Sequence, residues 1–193
     1  MSYSDVMLDL ETLGKSPGCI VMQIGVCLFN RVGDAQVKTA KWNLSLEAQQ
    51  AAGLKADVDT ICWWMLQSDE ARMSWAAGSV ERVLPSHALG TLSDLIKAEC
   101  AFKPTVWANS PQFDFSILDP LWRIARVAKP WMYFQEADMR TLKLVAPTVA
   151  KVLPALAHDA ASDAEAQARY VQDVFAHLAM CPEILPLVKD ENL

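Results

Sequence analysis

A chain of 193 residues with 52% hydrophobic content carries enough apolar material for one sizeable core, so a single domain over 1–193 is expected. The net charge of -6 disfavours a protein that wraps long duplexes, which needs a broad basic surface, but leaves chemistry at a strand end open. No uncharged apolar run is long enough for a membrane span, acids fall within the first nine positions, and Cys19, Cys27, Cys62, Cys100 and Cys181 are scattered with no C-x-x-C pair, so the expectation is a cytoplasmic protein with reduced core thiols, no signal peptide and no zinc or disulfide framework.

In chain order, residues 5 to 10 read as a first strand and Ile20 to Phe29 as a long, largely buried second one. Asn30-Arg31-Val32-Gly33-Asp34 supplies turn chemistry, and Val37 to Leu44 alternates as a third strand, which makes an antiparallel meander. From about 46 to 78 the pattern turns helical, an insertion in which Ser68 has the chemistry of an N-cap. Further helices are expected over Ala88 to Cys100, Gln112 to Val127 behind Pro111, Met139 to Val145 and Ser162 to Ala179. Short strands are expected at Pro104 to Ala108 and at Met132-Tyr133-Phe134. This order indicates an α/β domain with a mixed sheet flanked by helices.

Chemistry concentrates in a few acids. Asp9 and Glu11 stand two apart at the end of the first strand and so share one of its faces. An unpaired carboxylate in an apolar interior costs several kcal/mol, which leaves a solvated turn, basic partners or a bound cation as explanations. Helical spacing from Asp114 passes through Ile117, Leu118, Leu121, Trp122 and Ala125, so this acid faces the sheet. Spacing from Asp163 passes through Gln167, Tyr170, Val171 and Val174, again a core-facing line. Either acid alone could simply complement a helix dipole. Together, four inward acids repel one another, and no matching set of inward Lys or Arg is available. Hard divalent cations neutralise such a set, with Mg²⁺ the ion that takes few carboxylates plus water and phosphate. His158, five residues before Asp163, is a proton acceptor of suitable basicity, although a loop histidine is ordinarily polar surface. Asp159 and Asp173 have no such placement, and His87 and His177 have no acids grouped around them.

The segments Asp9-Leu10-Glu11-Thr12, Asn109-Ser110-Pro111-Gln112-Phe113-Asp114 and His158-x₄-Asp163, in that order, resemble the three motifs of the DEDDh family of 3′→5′ exonucleases, which have a ribonuclease H-like fold. Leu13-Gly14, the Trp63-Trp64 pair ahead of Gln67 to Arg72, and Trp107-Ala108-Asn109 resemble its small exoribonuclease-like branch. The resemblance implies two Mg²⁺ or Mn²⁺ per site. Asp9, Glu11 and Asp163 would hold one and Asp9 with Asp114 the other, with His158 taking the proton of the attacking water. It implies single-stranded RNA or DNA 3′ ends as partner, nucleoside 5′-monophosphate products, and an optional homodimer. Thr12, Leu13, Asn109 and Trp63 become candidate substrate contacts, with core packing the alternative for one of the two tryptophans. Two rivals stand beside this reading. A phosphoryl-accepting aspartate enzyme would want an Asp where Glu11 stands; a catalytically silent nucleic-acid-binding module or scaffold would have no use for every inward acid.

Overall fold

The computed structural model describes residues 2–76 and 80–180. Its sheet has five strands, β1 (Tyr3–Thr12), β2 (Val21–Phe29), β3 (Val37–Asn43), β4 (Cys100–Ala108) and β5 (Glu136–Asp138), in the order β3-β2-β1-β4-β5. The first three run antiparallel, as tight connections allow, while β4 and β5 join parallel to β1 after helical crossovers. The helices are α1 (Leu46–Ala51), α2 (Val58–Met65), α3 (Asp69–Met73), α4 (Pro85–Glu99), α5 (Pro111–Ala125), α6 (Met139–Val145) and α7 (Ala160–Ala179).

Strand alternation sorts the core. Val6, Leu8 and Leu10 of β1 face one side, where Leu89, Leu92 and Ile96 of α4 and Ile117, Leu118 and Leu121 of α5 pack. Met7 faces the other side, with Trp107, Cys27 and Phe29, under Ala164, Ala168, Val171 and Val174 of α7. Asp9 and Glu11 continue the Met7 row, so they belong to the α7 face. Every residue of β2 is buried, which is why it reads as an unbroken apolar run.

Several expectations shift. The strand expected at Met132-Tyr133-Phe134 is instead a 3₁₀ turn over Tyr133–Gln135, and the short edge strand follows it at Glu136–Asp138. Aromatic content favoured the earlier segment, yet Met132, Tyr133 and Phe134 are exposed and lie outside the ladder. β4 begins at Cys100, where a helix was still expected, and α4 starts at Pro85, the favoured first helical position. α5 stops two residues early because Arg126 takes a left-handed backbone. Segment 46–76 is three short helices; α2 and α3 are capped by Asp57 and, as expected, Ser68. Residues 77 and 78 of the expected insertion lie outside the described residues. Cys62 is exposed and Cys100 half-buried, so only Cys19 and Cys27 are core thiols among the described cysteines; Cys181 lies outside them. No helix among the described residues is long and apolar enough to cross a membrane.

One close approach positions everything that follows. Gly25 pairs with Asp9 across the β1/β2 ladder. A Cβ there would lie 2.1 Å from the carbonyl carbon and oxygen of Ala160. Only the missing side chain lets the N-terminus of α7 rest on the strand. Gly25→Ala is therefore expected to lower stability by roughly 1–3 kcal/mol or more, because backbone rather than a side-chain tip must move. Thermal unfolding checks this, and the same variant should bind Mn²⁺ more weakly by calorimetry because Asp163 is displaced with the helix.

Candidate active site

The site gathers where three elements end together. β1 delivers Asp9 and Glu11, and the first turn of α7 delivers Asp163. Carboxylate oxygens of these three residues all lie within 4.8 Å of one another. α5 brings Asp114 into the first turn behind Ser110 and Pro111, 4% exposed, with the Ser110 amide donating to Oδ2 at 3.4 Å. Asp114 is outside the closest trio, yet its charge acts on Asp9 more strongly than that of Glu11 or Asp163.

Electrostatics records the crowding. Burial holds the Asp9 carboxyl well above the usual carboxylate range, and the charges of Asp114, Glu11 and Asp163 push the same way against one hydrogen bond from Gln167. Glu11, 8% exposed, is pushed up to about 8, first by burial and then by Asp163, Asp159 and Asp114. Asp114 is pushed up to about 7 by burial, with backbone amides and the Arg140 charge opposing. Asp163 is raised by burial, against the His158 amide that donates to its Oδ2 at 2.8 Å. No salt bridge reaches Asp9, Glu11, Asp114 or Asp163 among the described residues. An all-oxygen donor set that raises its own basicity this far is suited to a hard divalent cation, so the residues present fit Mg²⁺ or Mn²⁺.

His158 lies at the mouth of the cluster. Its backbone is left-handed, φ 62°, a conformation that costs a non-glycine residue of order 1 kcal/mol or more. The turn aims its amide at Asp163 while its ring meets two tryptophans edge-on, 5.0 Å from Trp63 and 5.8 Å from Trp64. The two tryptophans divide their work. Trp64 is 2% exposed and its indole N–H donates to the Thr12 carbonyl at 2.9 Å, whereas Trp63 is 43% exposed. Thr12 and Leu13 are buried, the Thr12 hydroxyl donating to the Gly14 carbonyl at 2.6 Å, so neither offers an open face for stacking. Asn109 follows β4 directly, its Oδ1 accepting from Lys143 Nζ at 3.2 Å.

Sequence reasoning missed three supporting residues. Gln167 donates to Asp9 Oδ1 at 2.7 Å, and its place four residues after Asp163 on a core-facing line was the available signal. Gln23 is fully buried amid the apolar second strand, opposite Glu11, and its Oε1 accepts from the Ala160 amide at 3.2 Å. Asp159, which spacing left unplaced, caps α7 through the Ser162 amide and pairs with Lys41. The polar interruption at Gln23 was visible in the sequence; the Lys41 partnership spans 118 positions and was not.

The strand order and the helices on both faces are those of the ribonuclease H-like α/β fold. The chain belongs to the Rv2179c-like family of 3′-5′ exoribonuclease domains, whose family model matches residues 4–175. Among solved structures it is similar to the nuclease domain of 3′hExo, a DEDDh family member bound to rAMP, at 11% identity and TM-score 0.57, covering 91% of this chain and 93% of that one. It is also similar to E. coli exonuclease I in complex with single-stranded DNA, at 12% identity and TM-score 0.62, where 97% of this chain spans 43% of the other. A full-length 3′-exonuclease matches at 13% identity and TM-score 0.54, covering 92% and 84%. No curated protein matches the sequence.

The raised carboxyls carry a sign. Their pKa values are higher folded than unfolded, so folding without cations takes up protons. That stabilisation is complete below the unfolded carboxylate range near ~4 and is lost as pH rises through about 7 and about 8. In chelator, the melting temperature should therefore fall between about pH 5.5 and about pH 8.5, and Mn²⁺ should raise it more at the higher pH. Scanning calorimetry reads both. A pH-independent melting temperature in chelator would mean that the four acids are not crowded.

Proposed function

We propose that this chain hydrolyses single-stranded RNA or DNA from the 3′ end to nucleoside 5′-monophosphates, with 1–193 acting as one exonuclease domain and 46–78 as its helical insertion. The observation that carries the reading is the convergence of Asp9, Glu11 and Asp163 within 4.8 Å, with Asp114 and His158 beside them. Asp9, Glu11 and Asp163 would hold one Mg²⁺ or Mn²⁺ and Asp9 with Asp114 a second, which when bound supply Lewis-acid stabilisation of charge on the attacking and leaving oxygens.

The chain's own residues do the rest. Water attacks the terminal phosphodiester, the bond to the preceding 3′ oxygen breaks, and that oxygen leaves and takes a proton from solvent to become a hydroxyl. His158, held by its amide on Asp163 and by its ring against Trp63 and Trp64, accepts the proton that the water gives up. Gln167 fixes the Asp9 carboxylate for its place in both ion sites. The exposed face of Trp63 is available for stacking on a terminal base, and Asn109 for a substrate contact. Thr12 and Leu13 take part from beneath, as the strand end on which Trp64 is anchored. The family's description supports RNA as the favoured polymer. A cytoplasmic setting belongs to the same reading and rests on the sequence's cysteine usage and lack of a long apolar run, while a homodimer rests on family resemblance alone.

A 5′-labelled single-stranded oligonucleotide with Mg²⁺ or Mn²⁺ tests the proposal. A ladder shortening stepwise from the 3′ end is expected, faster on RNA than on DNA, and abolished by chelator or by Asp114→Ala. His158→Ala should slow turnover by ~10²–10⁴-fold while leaving Mn²⁺ affinity nearly intact. No ladder on either polymer with either metal would assign the fold to a silent binding module. Trp63→Ala should raise KM for the single strand by roughly tenfold or more, the value of one lost base stack, and lower kcat as well because the His158 ring loses one of its two aromatic neighbours; an unaltered KM would return Trp63 to a packing role.

A further inference from the structure

The acid cluster has a basic neighbour. A cavity of about 110 Å³ is bordered by Asp163 and Gln167 on one side and by Asn109, Lys143 and Lys151 on the other. α6 carries Arg140 and Lys143 one turn apart, so both project from the same side of the helix. Lys143 is half-buried, and its ammonium is held below the ordinary lysine range by burial and by the charges of Arg140 and Lys151, with Asp138 opposing. None of these three cations forms a salt bridge among the described residues. Of the two that line the cavity, Lys151 is exposed but Lys143 is half-buried with no carboxylate at ion-pair distance among the described residues, so its ammonium is placed to receive an anion.

The exonuclease reading, on which this inference rests, limits what the anion can be. A nucleic-acid strand carries one negative charge per nucleotide. The 3′-terminal nucleotide ends in a hydroxyl, and its single phosphate is the scissile one, which belongs over the acids. Any second phosphate of the strand near the site must therefore lie on the 5′ side. We propose that Lys143, with Lys151 also lining the cavity, holds the phosphodiester immediately 5′ to the scissile linkage. The site would then grip two successive phosphates, one over the carboxylates and one directly on ammonium groups. The Lys143 to Asn109 hydrogen bond orients the ammonium and leaves its other protons for the phosphate.

The test neutralises the same interaction from both sides. Wild-type protein and Lys143→Met are compared on an all-phosphodiester oligonucleotide and on one carrying a single uncharged methylphosphonate at the penultimate linkage, with Mg²⁺ and the first cleavage as readout. For the wild type, the methylphosphonate should raise KM by roughly tenfold to hundredfold with little change in kcat, the loss of one charge-assisted hydrogen bond. Lys143→Met should show a similar loss on the normal strand and almost no further loss on the modified one, because the two changes remove one interaction. Lys143→Arg should recover part of the affinity, and Mn²⁺ binding by calorimetry should be the same in all three proteins, which shows that the variants fold.

Independent, multiplying losses would overturn the inference, as would a fall in kcat at constant KM, which would make Lys143 a support for Asn109 alone. Loss of Mn²⁺ binding in both variants would likewise make Lys143 structural. Absence of any cleavage by the wild type would remove the exonuclease reading and this inference with it, whereas wild-type cleavage indifferent to the penultimate charge removes this inference alone.

Discussion

The architecture around the site depends on mutual repulsion held in check by packing. Four carboxylates are brought to one place by β1, α5 and α7, and among the described residues none of them has a cationic side chain at ion-pair distance. Apolar burial fixes the elements that carry them: Val6, Leu8 and Leu10 against α4 and α5 on one face, and Met7 against α7 on the other. The hydrophobic contribution from these layers is what keeps the acids from spreading apart. Gly25 then sets how near α7 can come, since the helix begins where a side chain would otherwise be.

The helical segment between β3 and α4 is joined to the site rather than appended to it. Trp64 reaches back to the Thr12 carbonyl, and the Asp57 amide donates to the Leu13 carbonyl at 2.6 Å. Gln49 clamps both polar groups of the Val21 backbone, accepting at 2.9 Å and donating at 2.7 Å, much as a neighbouring strand would. These bonds fix the end of β1 from which Asp9 and Glu11 project. They also set Trp63 and Trp64 edge-on against the His158 ring, so the insertion supplies its aromatic neighbours.

Much of this was legible in the sequence because its signals are local. Strand alternation put Asp9 and Glu11 on one face, helical spacing turned Asp114 and Asp163 inward, and Pro111 and Ser68 marked helix starts. The order of the motifs tied them together. What escaped was set by distant partners. The edge strand was misplaced because its three residues, Glu136, Ala137 and Asp138, have poor intrinsic strand preference and are strand only by pairing with β4. Asp159 and Lys41 lie far apart in the chain, and the left-handed turn at His158 is a minority conformation even though histidine is among the residues enriched in it. Thr12 and Leu13 are both buried, Leu13 with its backbone bonded to Ile20 and Asp57, which no local pattern announces.

β1 also shows the opposite answer to the same problem. Near its start, Asp5 is fully buried, and Arg31 approaches it at 2.9 Å while the Trp107 indole N–H donates to it at 2.8 Å. That carboxylate is balanced from within the polypeptide. A few residues further along the same strand, Asp9 has the Gln167 amide but neither Asp9 nor Glu11 has a cationic partner among the described residues. One ribbon thus has a self-contained pole and an open one, and at the open pole neutralisation falls to protons or to a cation drawn from outside the polypeptide.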